Sequence, residues 1–257
     1  MVLAAIVLLM LAFLGGFCCY EATTSNIWNA SCVGDIPVPN GFDRVEAPTG
    51  SYTEYLRSIP LKEKGYKLHL HSGQVAKHQV LAAAVVDQPL LNQNEQCADV
   101  AMRLRAEYLW KNGCYDEIRF TTVHDTVMRY RPDTTHAYSM RFYFEEYLAE
   151  VFKWCNTGSL YNETVPRDFI DVQPGDILVH PAEPGEKYGH AIVVADVARN
   201  AKGKVAILCM EGSTPAREKH IVRNLNLLRN PWFVIDEYDT HIKFIKSRFR
   251  QGQLRHY

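Results

Sequence analysis

Three side chains far apart in the chain have the types that a cysteine hydrolase needs. Cys97 lies in the first turn of a predicted helix, where the partial positive charge of the helix end stabilises a thiolate. His190 begins a predicted strand, a rigid position from which an imidazole can take the thiol proton. Glu211 follows the next predicted strand and can accept a hydrogen bond from the far imidazole nitrogen. The sequence therefore predicts a catalytic triad of nucleophile, base and orienting acid.

Each member of this triad also has a purely structural interpretation. Cys97 alone fits a small hydrophobic residue on the buried face of its helix, and His190 alone fits a residue that only begins a strand. Glu211 alone fits an exposed turn carboxylate. The three types in this order favour catalysis more than any one of them does. Beside Cys97, Gln96 is a candidate donor to an oxyanion, whereas Asp99 suits the helix end but opposes a thiolate.

The hydrophobic pattern predicts the elements that must position these residues. Helical spacing predicts one helix over about 95–111, with Asn94 as its N-cap, and a second over about 141–156. After these helices, short apolar runs bounded by turn residues predict four strands. The strands are expected at about 176–180, 189–197, 204–210 and 219–222. Helices followed by a meander of strands indicate an α+β fold with an antiparallel sheet.

The region around His190 resembles a known group of enzymes. The segments PGDILV at 174–179 and GHAIVV at 189–194 resemble the histidine half of NlpC-type and related papain-like cell-wall peptidases. The order of Cys97, His190 and Glu211 along the chain is also that of papain-like cysteine hydrolases. This resemblance implies a papain-like, NlpC-like α+β fold in which a helix carrying the cysteine packs on an antiparallel sheet.

A second resemblance covers nearly the whole chain after its apolar N-terminus. The sequence is similar to a family of exported bacterial proteins catalogued only as a domain of unknown function, which implies no established activity. The similar segments are Gly50–Tyr52, Leu56–Arg57, Pro60–Leu61, Gln96–Asp99, Arg103–Leu109, Gly189–Ala191, Pro215–Ala216, His220–Ile221 and Pro231–Trp232. The chain departs from that family's pattern in a longer loop before His190 and in Glu211, which stands where a glutamine is usual. Either side chain can accept a bond from an imidazole N–H.

The N-terminus has the composition of an export signal. Residues 1–19 carry no charged side chain, and their apolar run has the length of the core of a secretory signal. Cys18 and Cys19 lie where a bacterial lipoprotein carries its lipid-modified cysteine. A lipid anchor, a cleaved signal and an uncleaved anchor all remain open. We expect an exported protein of the periplasm or cell envelope, with a tether at 20–45 and a single domain at 46–257.

Composition excludes several other classes of protein. With 28 Lys and Arg against 29 Asp and Glu, the chain has no basic excess for nucleic-acid binding. An apolar content of 47% excludes a disordered chain. No CxxC pair or Cys/His cluster has zinc-like spacing, so no metal or cofactor is predicted. Cys114, Cys155 and Cys209 are predicted to be unpaired thiols in or near the core, and the basic C-terminal residues to be a solvated tail.

These observations predict an exported cell-envelope cysteine hydrolase. Its triad would act on an amide bond, and its partner would be a cell-envelope peptide or glycopeptide, such as a peptidoglycan peptide. The N-terminal signal or a lipid anchor would supply the membrane contact. The alternatives are a catalytically inactive envelope binding module with the same fold and an acyltransferase that forms the same acyl-enzyme, since resemblance of fold does not fix activity.

Overall fold

The structure is a computed structural model that describes residues 24–132, 140–226 and 231–257. The candidate lipidation residues Cys18 and Cys19, and the predicted signal at 1–19, lie outside these ranges. Within the described ranges, no helix has the length and apolar character needed to cross a membrane.

An antiparallel sheet of nine strands dominates the fold. Its main path runs β2-β9-β8-β7-β6-β13-β5, with β1 paired to β7 and β10 paired to β8. These strands are β1 (Asp43–Arg44), β2 (Ala82–Val85), β5 (Val165–Pro166), β6 (Ile177–His180), β7 (His190–Arg199), β8 (Val205–Glu211), β9 (His220–Val222), β10 (Phe233–Ile235) and β13 (Leu254–His256). The two remaining antiparallel pairs join β3 (Arg119–Thr121) to β4 (Val127–Arg129) and β11 (His241–Lys243) to β12 (Arg248–Arg250).

In the part of the chain that the structure describes, four α-helices accompany the sheet, and one of them carries Cys97. They are α1 (Tyr52–Arg57), α2 (Cys97–Lys111), α3 (Met140–Trp154) and α4 (Thr157–Glu163). Both α1 and α2 pack against β7. The two long helices lie where helical spacing predicts them, because each presents a long apolar face.

Both faces of the central strands are buried. Along β7, Ala191 and Val193 belong to the hydrophobic core on the helical side. Ile192 and Val194 point the other way, into a second core that includes Phe249 of β12. Two covered faces explain why this segment reads as a continuous apolar run rather than an alternating one.

The papain-like α+β class predicted from the sequence is wrong. The structure is instead a β-rich fold, because a nine-stranded antiparallel sheet organises it and few helices accompany that sheet. The sequence pattern reveals the longer strands and, among the short ones of the sheet, β9. It misses strands of two or three residues such as β5, β10 and β13, since a segment that short shows no period.

The segment predicted as a tether at 20–45 also differs in the structure. From residue 24 onward it packs against the domain, with the side chains of Val33 and Ile36 fully buried. Strand β1 pairs with the far end of β7, where Asp43 lies opposite Arg199. Proline and glycine residues in this segment suggest a linker, but the side chains of Val33 and Ile36 fill the core between α1 and the sheet.

A buried ionic network connects the start of α2 to β9. Lys219 Nζ lies 2.7 Å from one carboxylate oxygen of Glu95, and Arg103 donates to the other at 2.6 Å. All three residues are almost fully buried. Arg103 also lies 3.4 Å from Glu107, so this i, i+4 pair is part of the interior. The network holds the residue before Gln96 against the strand that carries His220.

Candidate functional site

Cys97 is the first residue of α2, and its side chain is 7% exposed. The helix begins after Gln96 rather than after Asn94, the predicted N-cap. Asp99 Oδ2 accepts a hydrogen bond from the Gln96 backbone N–H at 2.8 Å, which fixes this start. The first N–H groups of a helix have no intrahelical acceptor, so the Cys97 end of α2 presents donors to the cleft in front of it.

His190 begins β7, as the sequence predicts, and two neighbours fix its position. A Cβ atom on Gly189 would lie 2.3 Å from the His180 carbonyl oxygen and 2.4 Å from Thr157 Oγ1, so only glycine fits there. The imidazole stacks on Phe249, with ring centroids 6.2 Å apart and an interplanar angle of 29°. The histidine side chain remains 22% exposed, which leaves it open to the cleft.

Glu211 ends β8 and points its carboxylate at His190. Its Oε2 lies 2.9 Å from His190 Nε2, so Nδ1 is the imidazole nitrogen left for Cys97. The next residue, Gly212, allows the end of β8 to approach α2 closely: a Cβ there would lie 2.8 Å from Val100 Cγ2. The structure thus brings together all three residues of the predicted triad.

The charges at the site favour a protonated histidine. Burial lowers the pKa of His190, but its interactions with the Cys97 thiol and the Glu211 carboxylate outweigh that effect and raise the pKa to about 9. Burial likewise raises the pKa of Glu211, but the hydrogen bond from His190 and the nearby His220 imidazole hold it well below its ordinary value. At neutral pH the site therefore contains an imidazolium beside Cys97 and an ionised carboxylate behind it.

Two residues around Glu211 were not predicted from the sequence as site residues. His220 Nε2 lies 3.3 Å from Glu211 Oε1, and Arg217 Nη2 lies 4.0 Å from the same oxygen. Both residues are buried. The only signal in the sequence is the family resemblance, since Arg217 follows the segment Pro215–Ala216 and His220 lies in the segment His220–Ile221. Neither residue type nor spacing points to a site there.

Gln96 and Asp99, the other candidates beside Cys97, have different surroundings. The Gln96 side-chain oxygen accepts a hydrogen bond from Thr214 Oγ1 at 2.5 Å, which leaves its NH₂ group as a donor beside Cys97. Asp99 holds the start of the helix through its bond with the Gln96 N–H. Burial raises the pKa of Asp99 well above its ordinary value. A raised pKa makes Asp99 harder to ionise than an exposed carboxyl, so it opposes a Cys97 thiolate less than its position in the sequence suggests.

Cys97 lies between two connected depressions in the surface. One, of about 540 Å³, is lined by the triad, Arg217 and the β11–β12 hairpin. The other, of about 610 Å³, is lined by Gln96, Asp99 and the start of α4. Tyr188 and Thr214 contribute to both. A chain-like substrate could therefore extend to either side of the Cys97 sulfur.

The remaining cysteines are consistent with a structural role. Cys114, Cys155 and Cys209 are unpaired, as predicted, and the last two are buried in hydrophobic cores.

Within the described ranges, no group of three or more His, Cys, Asp or Glu side chains has the arrangement of a metal site.

Comparison with known proteins gives a family but no activity. No curated protein and no solved structure matches the chain. The family described as "Domain of unknown function (4846)" matches residues 34–256. This match includes Cys97, His190 and Glu211, and it begins within the segment predicted as a tether. Because the match covers most of the chain, the protein belongs to this family of unknown function.

Proposed function

We propose that the protein is a cysteine hydrolase that cleaves an amide bond through an acyl-enzyme on Cys97. The single observation that supports this is the continuous arrangement of Cys97, His190 and Glu211 in an open cleft. A thiol at a helix N-terminus, next to an imidazolium, meets the requirements for a thiolate nucleophile. A buried core cysteine needs neither the helix end nor the histidine.

The proposed reaction begins with the proton of Cys97 on His190. The thiolate attacks the substrate carbonyl carbon, forming a C–S bond and placing negative charge on the carbonyl oxygen. The Cys97 backbone N–H and the Gln96 NH₂ group are the donors available to stabilise that charge. The C–N bond then breaks, and the leaving amine takes the proton from His190.

Water completes the cycle. His190, now neutral, takes a proton from a water molecule, which attacks the acyl carbon. The C–S bond breaks, the carboxylic acid leaves, and Cys97 and His190 return to their starting states. Throughout, Glu211 accepts a hydrogen bond from Nε2, which keeps Nδ1 directed at Cys97 and stabilises the imidazolium.

The proposed location is the bacterial cell envelope, with a peptide or glycopeptide as substrate. Two sequence features support this: the apolar residues 1–19, and the similarity of 189–194 to the histidine segment of NlpC-type cell-wall peptidases. The length of the cleft on both sides of Cys97 suits a peptide chain.

A reaction with a small activated ester tests the proposal without a known substrate. With 4-nitrophenyl acetate, we expect a burst of about one equivalent of nitrophenolate and an acetyl group on Cys97, followed by slower turnover. Cys97→Ser should abolish the burst, whereas the matched control Cys114→Ser should retain it. Acetylation of Cys114 at an equal rate, or no acetylation of Cys97, would contradict the proposal. An acetyl-enzyme that is released only when an amine is added would indicate a transferase instead.

A further inference from the structure

The cleft beside the triad contains a buried cation with few partners of its own. Arg217 is only 7% exposed, yet its Nε has no hydrogen-bond partner among the described residues. Its one ion pair within those residues is with Glu211 Oε1, at the long distance of 4.0 Å. A guanidinium carries five N–H donors, and leaving them unpaired in the interior is costly. Such a side chain normally has an acceptor in the protein, in water or in a ligand.

A second cation, Lys246, lines the same depression as Arg217. Burial and the positive charge of Arg217 lower the pKa of Lys246, and the negative charge of Glu211 acts in the opposite direction. Both side chains line the depression that contains His190 and Cys97. Two like charges facing one cavity repel each other in the empty protein, and an anion between them would relieve that repulsion.

The cavity's acidic residues do not neutralise this pair. Glu211 is already shared by His190 and His220. Glu183, on the loop before His190, lies 3.5 Å from Arg250, and Glu186 on the same loop accepts a hydrogen bond from the Glu183 backbone N–H at 3.4 Å. Four cations, Arg217, Lys246, Arg248 and Arg250, line the depression against the three carboxylates Glu183, Glu186 and Glu211, so positive charge is left available to a bound molecule.

Arg217 lines the same depression as the nucleophile Cys97. Burial lowers the pKa of Arg217, and the charges of Glu211 and Cys97 act in the opposite direction. The shared lining and this charge interaction together place the guanidinium near the Cys97 sulfur. A group that Arg217 holds would lie close to the bond that Cys97 attacks.

We propose that Arg217 and Lys246 bind an anionic oxygen group of the substrate, a carboxylate or a phosphate, next to the scissile bond. This inference rests on the proposed function and specifies its substrate class: an acyl compound with a negative charge near the reacting carbonyl. Guanidinium groups bind both kinds of oxyanion through paired hydrogen bonds. The Arg217 and Lys246 side chains would be binding residues, and the proton transfers would stay with His190.

Two alkylating reagents that differ only in charge test this proposal. Iodoacetate and iodoacetamide both react with the Cys97 thiolate, so a change in the amount of thiolate alters both rates equally and leaves their ratio unchanged. We divide the iodoacetate rate by the iodoacetamide rate, and compare this ratio with the ratio measured for glutathione. For the wild-type full chain we expect the ratio to be about tenfold higher than for glutathione, because of a charge-assisted contact with iodoacetate. Lys246→Gln should lower this preference several-fold, and Arg217→Gln should remove most of it. Lys202→Gln, the same charge change at an exposed turn, should leave it unchanged.

The outcomes separate this inference from the proposed function. If Cys97 reacts with both reagents but shows no preference for iodoacetate, the anion site is refuted and the nucleophile remains. If the preference survives both Lys246→Gln and Arg217→Gln, the His190 imidazolium alone produces it, and the inference also fails. Lys246 is exposed, so its variant is informative even if Arg217→Gln does not fold.

Small anions provide a second measurement that does not require a reactive cysteine. Acetate and inorganic phosphate should each be tested for a rise in the melting temperature. An effect of acetate alone indicates a carboxylate site, and an effect of phosphate alone indicates a phosphate site. In both cases Lys246→Gln should weaken the effect. No effect of either anion on the melting temperature would overturn the proposal, whatever the reactivity of Cys97.

Discussion

Glu211 and His220 face each other across the β8–β9 pair, with His220 Nε2 3.3 Å from Glu211 Oε1. The other carboxylate oxygen of Glu211 lies 2.9 Å from His190 Nε2. One carboxylate is therefore shared between a histidine that faces the cleft and one that is fully buried. His220 is in a position to hold Glu211 in place, and Glu211 in turn orients His190. In the proposed reaction His220 would thus be a positioning residue, although the sequence does not predict one there.

Replacement of Glu211 should separate the effect of its hydrogen bond from that of its charge. Glu211→Gln keeps an oxygen that can accept from His190 but removes the negative charge, so the pKa of His190 should fall. Glu211→Ala removes both and leaves His220 and Arg217 without their shared partner. We expect Glu211→Ala to slow acylation of Cys97 by about 10²–10⁴-fold, and Glu211→Gln to slow it less.

Acylation rates with 4-nitrophenyl acetate and an NMR titration of His190 measure these two effects. An orienting role for Glu211 is contradicted if both variants are acylated as fast as the wild type, or if the pKa of His190 is unchanged in both. Circular dichroism of each variant serves as the control for folding.

The raised pKa of His190 predicts a specific dependence of stability on pH. The pKa is about 9 in the folded protein and about 6.5 in an unfolded chain, so folding favours the protonated form. The stability gained from the imidazolium is fully present below pH 6.5 and is lost as the pH rises through about 9. The free energy of unfolding of the wild type should therefore exceed that of His190→Gln at pH 6, with the difference shrinking toward pH 10. Urea unfolding at pH 6, 8 and 10 measures this difference. A difference that grows with pH would contradict the proposed ion pair between the His190 imidazolium and Glu211.

The close approach of β8 to α2 should make Gly212 sensitive to any side chain. In Gly212→Ala the new Cβ would lie 2.8 Å from Val100 Cγ2 and 3.2 Å from the Gln96 carbonyl oxygen. We expect Glu211 to shift away from His190 and acylation of Cys97 to fall by about 10²-fold, since small displacements in a catalytic site have effects of this size. The double variant Gly212→Ala/Val100→Ala removes one of the two clashes and should recover part of the rate. Acylation no faster in the double variant than in Gly212→Ala would show that contact with Val100 is not the cause.

The sequence predicts those parts of the fold that depend on local pattern. Helix α2 and strand β7 are long and apolar enough to show their periods, so their positions are predicted to within a few residues. These two elements carry Cys97 and His190, and the triad could be proposed for that reason. The N-cap is misplaced by two residues, because Asn94 is a better capping type than Gln96 and the hydrogen bond that the Gln96 N–H donates to Asp99 cannot be seen in a pattern.

The residues that the sequence does not predict depend on contacts between distant segments. Residues 241–250 suggest a basic tail, yet Ile242 and Phe249 pack in the second core and form the β11–β12 hairpin. Lys246 reaches the cleft because of that hairpin. Arg217 reaches it from the turn after β8. A nine-stranded sheet assembled partly from two- and three-residue strands is likewise a product of long-range pairing, which explains why the predicted fold class is wrong.

The buried pair of Glu95 and Lys219 should contribute to stability only as a pair. Burial lowers the pKa of Lys219 to about 8, so the cost of burying its charge is not fully offset. Glu95→Gln leaves Lys219 and Arg103 without their carboxylate and should destabilise the fold by about 3–5 kcal/mol. In Glu95→Gln/Lys219→Met one uncompensated charge is gone, and stability should partly return. Chemical denaturation of the three proteins measures both effects, and equal stability of the wild type and Glu95→Gln would show that the network is not structural.

The reactivity of the cysteines toward iodoacetamide should differ according to their surroundings. Cys97 faces the cleft beside a protonated His190, which stabilises a thiolate, so its alkylation should persist below pH 7. Burial raises the pKa of Cys155 to about 12 and that of Cys209 well above the ordinary value, so both should stay unlabelled in the folded protein. Cys114 is partly exposed and serves as the internal reference. Peptide mass mapping between pH 5 and 9 should find label on Cys97 alone at the acid end, and His190→Ala should move that labelling to higher pH. Labelling of Cys97 that appears only after denaturation would falsify the nucleophile assignment, because the thiol would then be a packing residue with no access to substrate.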